Sequence, residues 1–196
     1  LAAGANVLGT DIAPELIALA KKNLPPARTG RRLEFVVAAA DRLDQVADQS
    51  VDTVTLVMAI QNIQNLHGVF QECQRVLKPS GRVVMVLNHP AFRIPQYTSW
   101  GNDGAKIQYR RIDRYLSEAR VNIQMHPGAN PRQHTVTFHR PLQLYFKALA
   151  KHGFFVRRLE EWISHRHSQA GPRAAAENRA RKEIPLFLLL QAAKHA

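Results

Sequence analysis

The sequence contains a single cysteine, Cys73, among its 196 residues. One cysteine cannot form an intramolecular disulfide or supply a cysteine-based zinc site, and its presence as a lone thiol is typical of a reducing compartment. The nine histidines match no metal-binding spacing either. We therefore expect a cytoplasmic protein without a bound metal, with Cys73 in the core.

Long hydrophobic runs and acidic residues are also scarce. No apolar run approaches the roughly 18 residues of a membrane-spanning helix, so we expect no membrane segment. The chain has 27 Lys and Arg against 15 Asp and Glu, a formal charge of +12, which favours an anionic partner. The arginines are not interleaved with aromatic side chains, and a basic surface is therefore favoured over a nucleic-acid groove.

What the sequence does contain is an alternation of apolar strands and amphipathic helices. Apolar segments predict strands at 6–9, 33–38, 53–58, 82–87, 154–159 and 184–192. This rhythm indicates right-handed crossovers and a mainly parallel sheet with helices on both faces. We predict one α/β domain over residues 1–196 with a doubly wound sheet.

Helical spacing of apolar residues predicts the helices between these strands. The first opens at Pro14 and buries Leu16, Ile17 and Ala20. The second is the best defined, with five apolar residues on one face: Val69, Phe70, Cys73, Val76 and Leu77. A third opens at Pro141 and ends at Gly153.

Residues 88–140 lack any sustained period. A structureless loop of this length is uncommon in a compact domain. We therefore predict an inserted segment that has short elements of its own and forms a substrate lid.

Polar residues follow the predicted strands at the edge where open α/β sheets bind ligands. Asp11 can accept both hydroxyls of a ribose, or it can cap the helix at Pro14. Asp41 is a candidate ligand residue or the N-cap of a helix over residues 42–48. Gln61 can orient a ligand or cap a helix.

Histidine is the usual general base when an acceptor must lose a proton, and His89 and His139 lie at the two ends of the inserted segment. They are our candidate catalytic residues. A group of arginines, Arg110, Arg111 and Arg114, indicates either an acidic acceptor or a solvated helix with ion pairs. Three further residues can form an aromatic lining: Trp100, Tyr109 and Tyr115.

The chain resembles the class I S-adenosylmethionine-dependent methyltransferases, and among them the group that methylates small molecules. The resemblance rests on the order of six segments: GANVLGTDIAPELIALAKKN, AAADRL, DTVTLVMAIQNI, ECQRVLKPSGRVVMV, HRPLQLYFKALAKHGF and EIPLFLLLQA. This family has a Rossmann-like sheet whose last strand runs antiparallel between two others. The resemblance therefore implies an antiparallel C-terminal strand.

The resemblance also implies S-adenosylmethionine as cofactor and the residues that bind it: Asp11, Ile12, Asp41, Arg42, Ala59 and Gln61. Asp11 would hold the ribose and Ile12 would pack on the adenine face. Asp41 would accept from the adenine amino group, and the backbone N–H of Arg42 would donate to the ring.

The family's glycine-rich loop is missing before Asp11, where the only glycines are Gly4 and Gly9. We therefore expect an N-terminally truncated fragment that lacks the first strand of the family sheet.

The implied function is methylation of oxygen, nitrogen or carbon on a small molecule with acidic or aromatic groups. The alternatives are an RNA methyltransferase, which the positive charge favours, and a catalytically inactive Rossmann-like binding module. No sequence feature indicates an oligomeric state.

Overall fold

A computed structural model of the chain describes residues 4–24, 32–104, 106–126 and 130–195. Its elements are, in chain order, β1 Val7–Asp11, α1 Pro14–Lys22, β2 Leu33–Val37, β3 Val51–Val57, a 3₁₀ turn Ile60–Asn62, α2 Leu66–Val76, β4 Leu77–Asn88, β5 Thr98–Asp103, β6 Ile107–Ile112, β7 Ala119–His126, β8 Asn130–His139, α3 Leu142–Lys151, β9 Phe154–Trp162, α4 Ala174–Glu183 and β10 Phe187–Lys194.

The largest sheet has the strand order β3-β4-β10-β9. Strands β3 and β4 are parallel, whereas β10 runs antiparallel to both of its neighbours. Strands β3, β4 and β9 therefore share one direction and β10 alone opposes them. The predicted α/β class and the antiparallel C-terminal strand between two others are confirmed.

Strands β1 and β2 form a separate parallel pair. Helix α1 packs on this pair and buries Ile17, but Leu16 is 54% exposed, so the predicted buried face was too wide. Strand β2 is also only partly covered, since Val37 at its end is 43% exposed. Both exposures have one cause: within the described residues this pair is not hydrogen-bonded into the larger sheet, and its faces are less covered.

Helix α2 provides the centre of the core. All five apolar residues predicted on one of its faces, including Val76 and Leu77 at its end, are buried. Burial raises the pKa of the Cys73 thiol to about 12, so Cys73 acts as a small apolar side chain. Phe70 packs near Phe154 of β9 with the ring centroids 6.5 Å apart, which joins the helix to the sheet.

The segment Pro79-Ser80-Gly81 lies inside β4, where the pairing of the strand is irregular. Leu77 pairs with Val51, and pairing resumes with Arg82 opposite Thr53. A Cβ atom at Gly81 would lie 2.9 Å from Cβ of Leu77 and 3.0 Å from the carbonyl oxygen of Lys78. Only glycine therefore allows the chain to fold back onto Leu77 here.

Residues 89–141 connect β4 to α3 and contain two antiparallel hairpins, β5–β6 and β7–β8. The sequence predicted short elements in this segment without identifying them as hairpins. Helix α4 was not predicted from the sequence, since only small residues of this helix, Ala176 and Ala180, are buried. No helix among the described residues combines the length and apolar character that crossing a bilayer requires.

Gly153 ends α3 in the left-handed region, with φ of 75°, as predicted from the sequence. Because a Cβ at this position would contact nothing within 4 Å, Gly153→Ala tests backbone strain alone. We expect the free energy of unfolding to fall by about 1–2 kcal/mol in urea denaturation. Gly171→Ala is the matched control: a Cβ there also meets nothing, and its φ is not left-handed, so an equal loss in that variant would contradict the explanation.

Candidate functional site

Asp11 lies at the carboxyl end of β1 and is half-buried. Its Oδ1 accepts a hydrogen bond of 2.8 Å from the backbone N–H of Ala13, which fixes the carboxylate. The N-cap of α1 is Ala13, which has no side-chain cap, so the alternative role of Asp11 as a helix cap is not observed. Among the described residues Oδ2 has no hydrogen-bond partner, and the adjacent Ile12 is 74% exposed. A fixed carboxylate thus lies beside an accessible apolar side chain.

Asp41 follows β2, and turns, not the helix considered from the sequence, occupy residues 42–48. The Nδ2 group of Asn65 donates to Oδ2 of Asp41 over 3.1 Å, and Oδ1 of Asn65 accepts from the Gly68 N–H to cap α2. The backbone N–H of Arg42 donates to the Ala39 carbonyl over 3.0 Å. In this structure that N–H is already used, so the predicted donation from Arg42 to a ligand does not fit.

Arg75 holds the loop that follows Asp41. Its guanidinium donates to the carbonyls of Leu43 and Val46 and to the carboxylate of Glu72. Glu72 in turn accepts from the Leu43 N–H over 2.7 Å. The hydrogen bond from Arg75 is the main reason that the pKa of Glu72 is lowered, and burial opposes it.

The end of β3 has a strained turn at Met58, whose φ is 54°. A left-handed non-glycine residue costs about 1–2 kcal/mol and is held by its surroundings. The Met58 N–H donates to Val86 over 2.7 Å, and its carbonyl accepts from Nε2 of Gln61 over 2.8 Å. Ala59 is half-buried next to the 3₁₀ turn. Gln61 is 8% exposed, and its Oε1 is buried without a partner.

His89 is buried directly after β4. Its Nδ1 accepts from the N–H groups of Ala91 and Phe92, so Nε2 carries the hydrogen and donates to Glu161 over 2.9 Å. No lone pair remains to take up a proton. The geometry therefore gives His89 a structural role and does not fit the predicted role as a base.

His139 is buried at the end of β8. Its Nε2 lies 2.8 Å from the carbonyl of Tyr115, which can only accept, so Nε2 carries the hydrogen and Nδ1 keeps a lone pair. No hydrogen bond to Nδ1 occurs among the residues that the structure describes. Burial lowers the pKa of His139, more than the Tyr115 carbonyl and the charge of Glu118 raise it. His139 has the properties of a neutral base.

A cavity of about 20 Å³, which we call the inner cavity, lies between the ends of β3, β4 and β8. Its polar lining residues are Gln61, Asn88, Arg93, Thr137, His139, Arg140 and Tyr145. The unpartnered buried polar side-chain atoms in the described part of the chain are Oε1 of Gln61, Oδ1 of Asn88 and Nη1 of Arg140. These unsatisfied atoms belong to residues of this one cavity.

Arg140 is 6% exposed and connects the end of β8 to the residues just after the 3₁₀ turn. Its Nη2 donates to the carbonyls of Ile63 and Gln64 over 2.9 and 2.7 Å, and its guanidinium lies 5.2 Å from the centroid of Phe138. Burial raises the pKa of Tyr145, and the charge of Arg140 opposes this rise.

A second cavity of about 260 Å³, the outer cavity, shares three lining residues with the inner one: Phe138, His139 and Arg140. Its remaining walls come from Gln64 and from Glu118 to Arg120 near the start of β7. His139 therefore lies on the wall common to both cavities.

The predicted arginine group is only partly close to this site. Arg110 donates to the Phe92 carbonyl and to Thr98 Oγ1, whereas Arg111 pairs with Asp113 at the surface. Arg114 packs on Tyr97. These residues lie on or after strand β6, so the helix considered from the sequence is not formed.

The aromatic residues of the inner cavity are Phe138 and Tyr145, not the predicted Trp100, Tyr109 and Tyr115. Sequence reasoning also missed Arg93 and Arg140. Arginine is usually exposed, and nothing in the HRPLQLYF segment indicates a buried guanidinium. The described residues hold no group of three or more His, Cys, Asp or Glu that could bind a metal ion.

Comparison with known proteins agrees with this geometry. Residues 1–85 match the family described as a methyltransferase domain. Over its full length, the chain is similar to an S-adenosylmethionine-dependent methyltransferase from Mesorhizobium loti, with a TM-score of 0.73, 24% identity, and coverage of 96% of this chain and 80% of that one. A related structure from Listeria monocytogenes has a TM-score of 0.72 at 22% identity, covering 97% and 81%.

The chain therefore has the fold of the S-adenosylmethionine-dependent methyltransferases, and its first 85 residues match a methyltransferase domain. Among curated relatives it is similar to a demethylmenaquinone methyltransferase of Chlorobaculum parvum, 36% identical over 78 residues, which are 40% of this chain and 30% of the relative. It is also similar to the ubiquinone/menaquinone biosynthesis C-methyltransferase UbiE of Geotalea daltonii, 31% identical over 81 residues, covering 41% and 34%. The chain thus spans about a third of the length of these curated relatives.

The Glu72–Arg75 contact predicts how the stability of the protein responds to acid. Because the pKa of Glu72 is lowered on folding, its stabilisation is present above the unfolded value of 4.5 and is lost as pH falls through the folded value. We expect Glu72→Gln to flatten the fall in unfolding free energy from about pH 5 to pH 3, measured by urea denaturation at each pH. Glu183→Gln, at an exposed position, is the control; a flattening of equal size there would refute the assignment.

Proposed function

We propose that the protein transfers the methyl group of S-adenosylmethionine to a small-molecule acceptor. The observation that carries this proposal is the fixed, half-buried carboxylate of Asp11 beside the exposed Ile12 at the end of a parallel strand. The match of residues 1–85 to a methyltransferase domain supports this proposal, and so do the curated relatives, whose names refer to quinones or their biosynthesis. They leave open whether the reacting atom of the acceptor is carbon, oxygen or nitrogen.

The residues present fit the nucleoside part of this cofactor. Oδ2 of Asp11 is available to ribose hydroxyls, and Ile12 offers an apolar surface to a purine. Asp41 is half-buried just after the neighbouring strand β2, and in this proposal it accepts a hydrogen bond from the adenine amino group. The Arg42 N–H takes no part, because it donates to the Ala39 carbonyl. Ala59 and Gln61 contribute from the end of β3. When bound, S-adenosylmethionine supplies a methyl group already activated by its sulfonium.

We assign His139 as the group that takes the proton from an oxygen or nitrogen acceptor at its Nδ1 atom. Burial keeps the imidazole neutral near pH 7, and the Tyr115 carbonyl fixes the ring. Because His139 faces both cavities, an acceptor in either one can reach it.

Residues 88–140 act as the substrate lid in this proposal. Their β7–β8 hairpin is tied to the end of β3 by the hydrogen bond from Nδ2 of Asn62 to the Val136 carbonyl, 2.8 Å long. Thr137 Oγ1 donates to the Gln61 carbonyl over 3.4 Å. The β7–β8 hairpin therefore covers the end of β3, where the acceptor would bind.

Cofactor binding depends on the Asp11 carboxylate. We expect Asp11→Ala to weaken binding of S-adenosylhomocysteine by about 1–3 kcal/mol in titration calorimetry, because charge-assisted hydrogen bonds to the ribose are lost. Asp52→Ala removes an exposed carboxylate near the amino end of β3 and is the matched control. Unchanged affinity in Asp11→Ala, or an equal loss in the control, would sink the ribose assignment.

The proton-acceptor role of His139 can be tested by NMR spectroscopy without substrate and by the pH profile of turnover. Long-range ¹H–¹⁵N NMR spectra should show the Nε2–H tautomer for His139 and a pKa below the ordinary value of a histidine. His139→Gln identifies the resonance and should remove the acid limb of kcat/KM, which falls when the imidazole is protonated. An Nδ1–H tautomer, or an acid limb that persists in His139→Gln, would exclude this role.

A further inference from the structure

The inner cavity has an uncompensated positive charge. None of its described lining residues is Asp or Glu, and within the described part of the chain neither Arg93 nor Arg140 forms an ion pair. Burial lowers the pKa of the half-buried Arg93, and the charge of Arg93 adds to the effect of burial on Arg110. Buried guanidinium groups without a counter-charge are costly, so this cavity is suited to an oxyanion.

The same cavity has unsatisfied acceptors. Nε2 of Gln61 donates to the Met58 carbonyl, and therefore Oε1 is the amide atom left without a partner. Oδ1 of Asn88 is buried and unpaired as well. These carbonyl oxygens would repel a carboxylate and instead require an O–H or N–H donor. A ligand that satisfies both the guanidinium groups and these carbonyl oxygens has an oxyanion and an O–H or N–H donor.

The size and position of the inner cavity indicate that this ligand is the methyl acceptor. The inner cavity of about 20 Å³ admits a small functional group, while the adjoining 260 Å³ admits the body of a small molecule. The lining residues come from the ends of β3, β4 and β8, from the segment just after β4 and from α3, whereas Asp11 ends β1 and Asp41 follows β2. The acceptor thus approaches from the lid side, next to His139.

We propose, on the basis of the proposed function, that the acceptor is a small acid in which a hydroxyl or amino group lies close to a carboxylate. The carboxylate binds Arg140 through its free Nη1 and Arg93, since the planar guanidinium fork suits it. The hydroxyl or amino group donates to Gln61 Oε1 and Asn88 Oδ1. These contacts hold the hydroxyl or amino group beside His139. The oxygen or nitrogen of this group is the atom to be methylated.

The test uses three probes and titration calorimetry on the whole protein: 2-hydroxybenzoate, benzoate without the hydroxyl, and phenol without the carboxylate. We expect 2-hydroxybenzoate to bind about tenfold or more tightly than either fragment. Arg93→Gln and Arg140→Gln should each weaken both acids by about tenfold and leave phenol unchanged. Asn88→Ala should remove the preference for the hydroxyl and leave benzoate unchanged. Arg158→Gln, an exposed arginine paired with Glu160 on β9, is the control.

Arg140 also holds the 3₁₀ turn, so Arg93→Gln and Asn88→Ala, which do not remove that contact, decide the test if Arg140→Gln does not fold. Failure of 2-hydroxybenzoate to bind, phenol binding equally well, or unchanged acid affinity in Arg93→Gln would each overturn the proposal.

Titration with S-adenosylhomocysteine separates this proposal from the proposed function. If the cavity variants lose as much affinity for S-adenosylhomocysteine as for the acids, the inner cavity binds the amino-acid end of the cofactor. The acceptor proposal is then wrong. If the unsubstituted protein binds the acid but not S-adenosylhomocysteine, the proposed function fails and the acid site stands. Intact S-adenosylhomocysteine binding with selective loss of the acid supports both.

Discussion

The guanidinium of Arg140 is the contact on which the site depends. It is buried at the end of β8 and donates to consecutive carbonyls, Ile63 and Gln64, just beyond the 3₁₀ turn after β3. A hairpin distant in sequence is thereby fixed over a strand end of the main sheet. Removing this charge would leave carbonyl groups unsatisfied inside the protein, which is more costly than the loss of a surface contact. The position of His139, one residue earlier, follows from the same anchor.

The strained turn at Met58 belongs to the same arrangement. A left-handed methionine is retained because the Val86 carbonyl and the Gln61 side chain hold it from both sides. This use of the Gln61 amide nitrogen orients the amide oxygen, which is then unpartnered beside Asn88. Strain in the backbone is thus coupled to the placement of a polar atom, a combination that is frequent where proteins bind ligands.

The sequence predicts the buried face of a helix well where apolar residues recur at helical spacing. It does not predict the role of a residue that depends on one tertiary contact. Five apolar residues around Cys73 define a helix face because each must be buried for the others to pack. Leu16 fits the same pattern, yet it is exposed, because burial depends on what packs against the helix and not on the helix alone. His89 and His139 look equivalent in sequence, and only their partners, Glu161 and the Tyr115 carbonyl, separate a structural ring from a potential base.

The net charge of +12 conceals a difference between paired and unpaired arginines. Arg111 and Arg158 form surface ion pairs that contribute little to stability or specificity. Arg93 and Arg140 have no such carboxylates among the described residues, although a nearby Asp or Glu would lower the cost of burying them. A fold that leaves these charges uncompensated gives up stability, and this makes sense if the counter-charge arrives with a ligand. The net charge indicates only that a partner is anionic, whereas the buried charges favour a small anionic molecule.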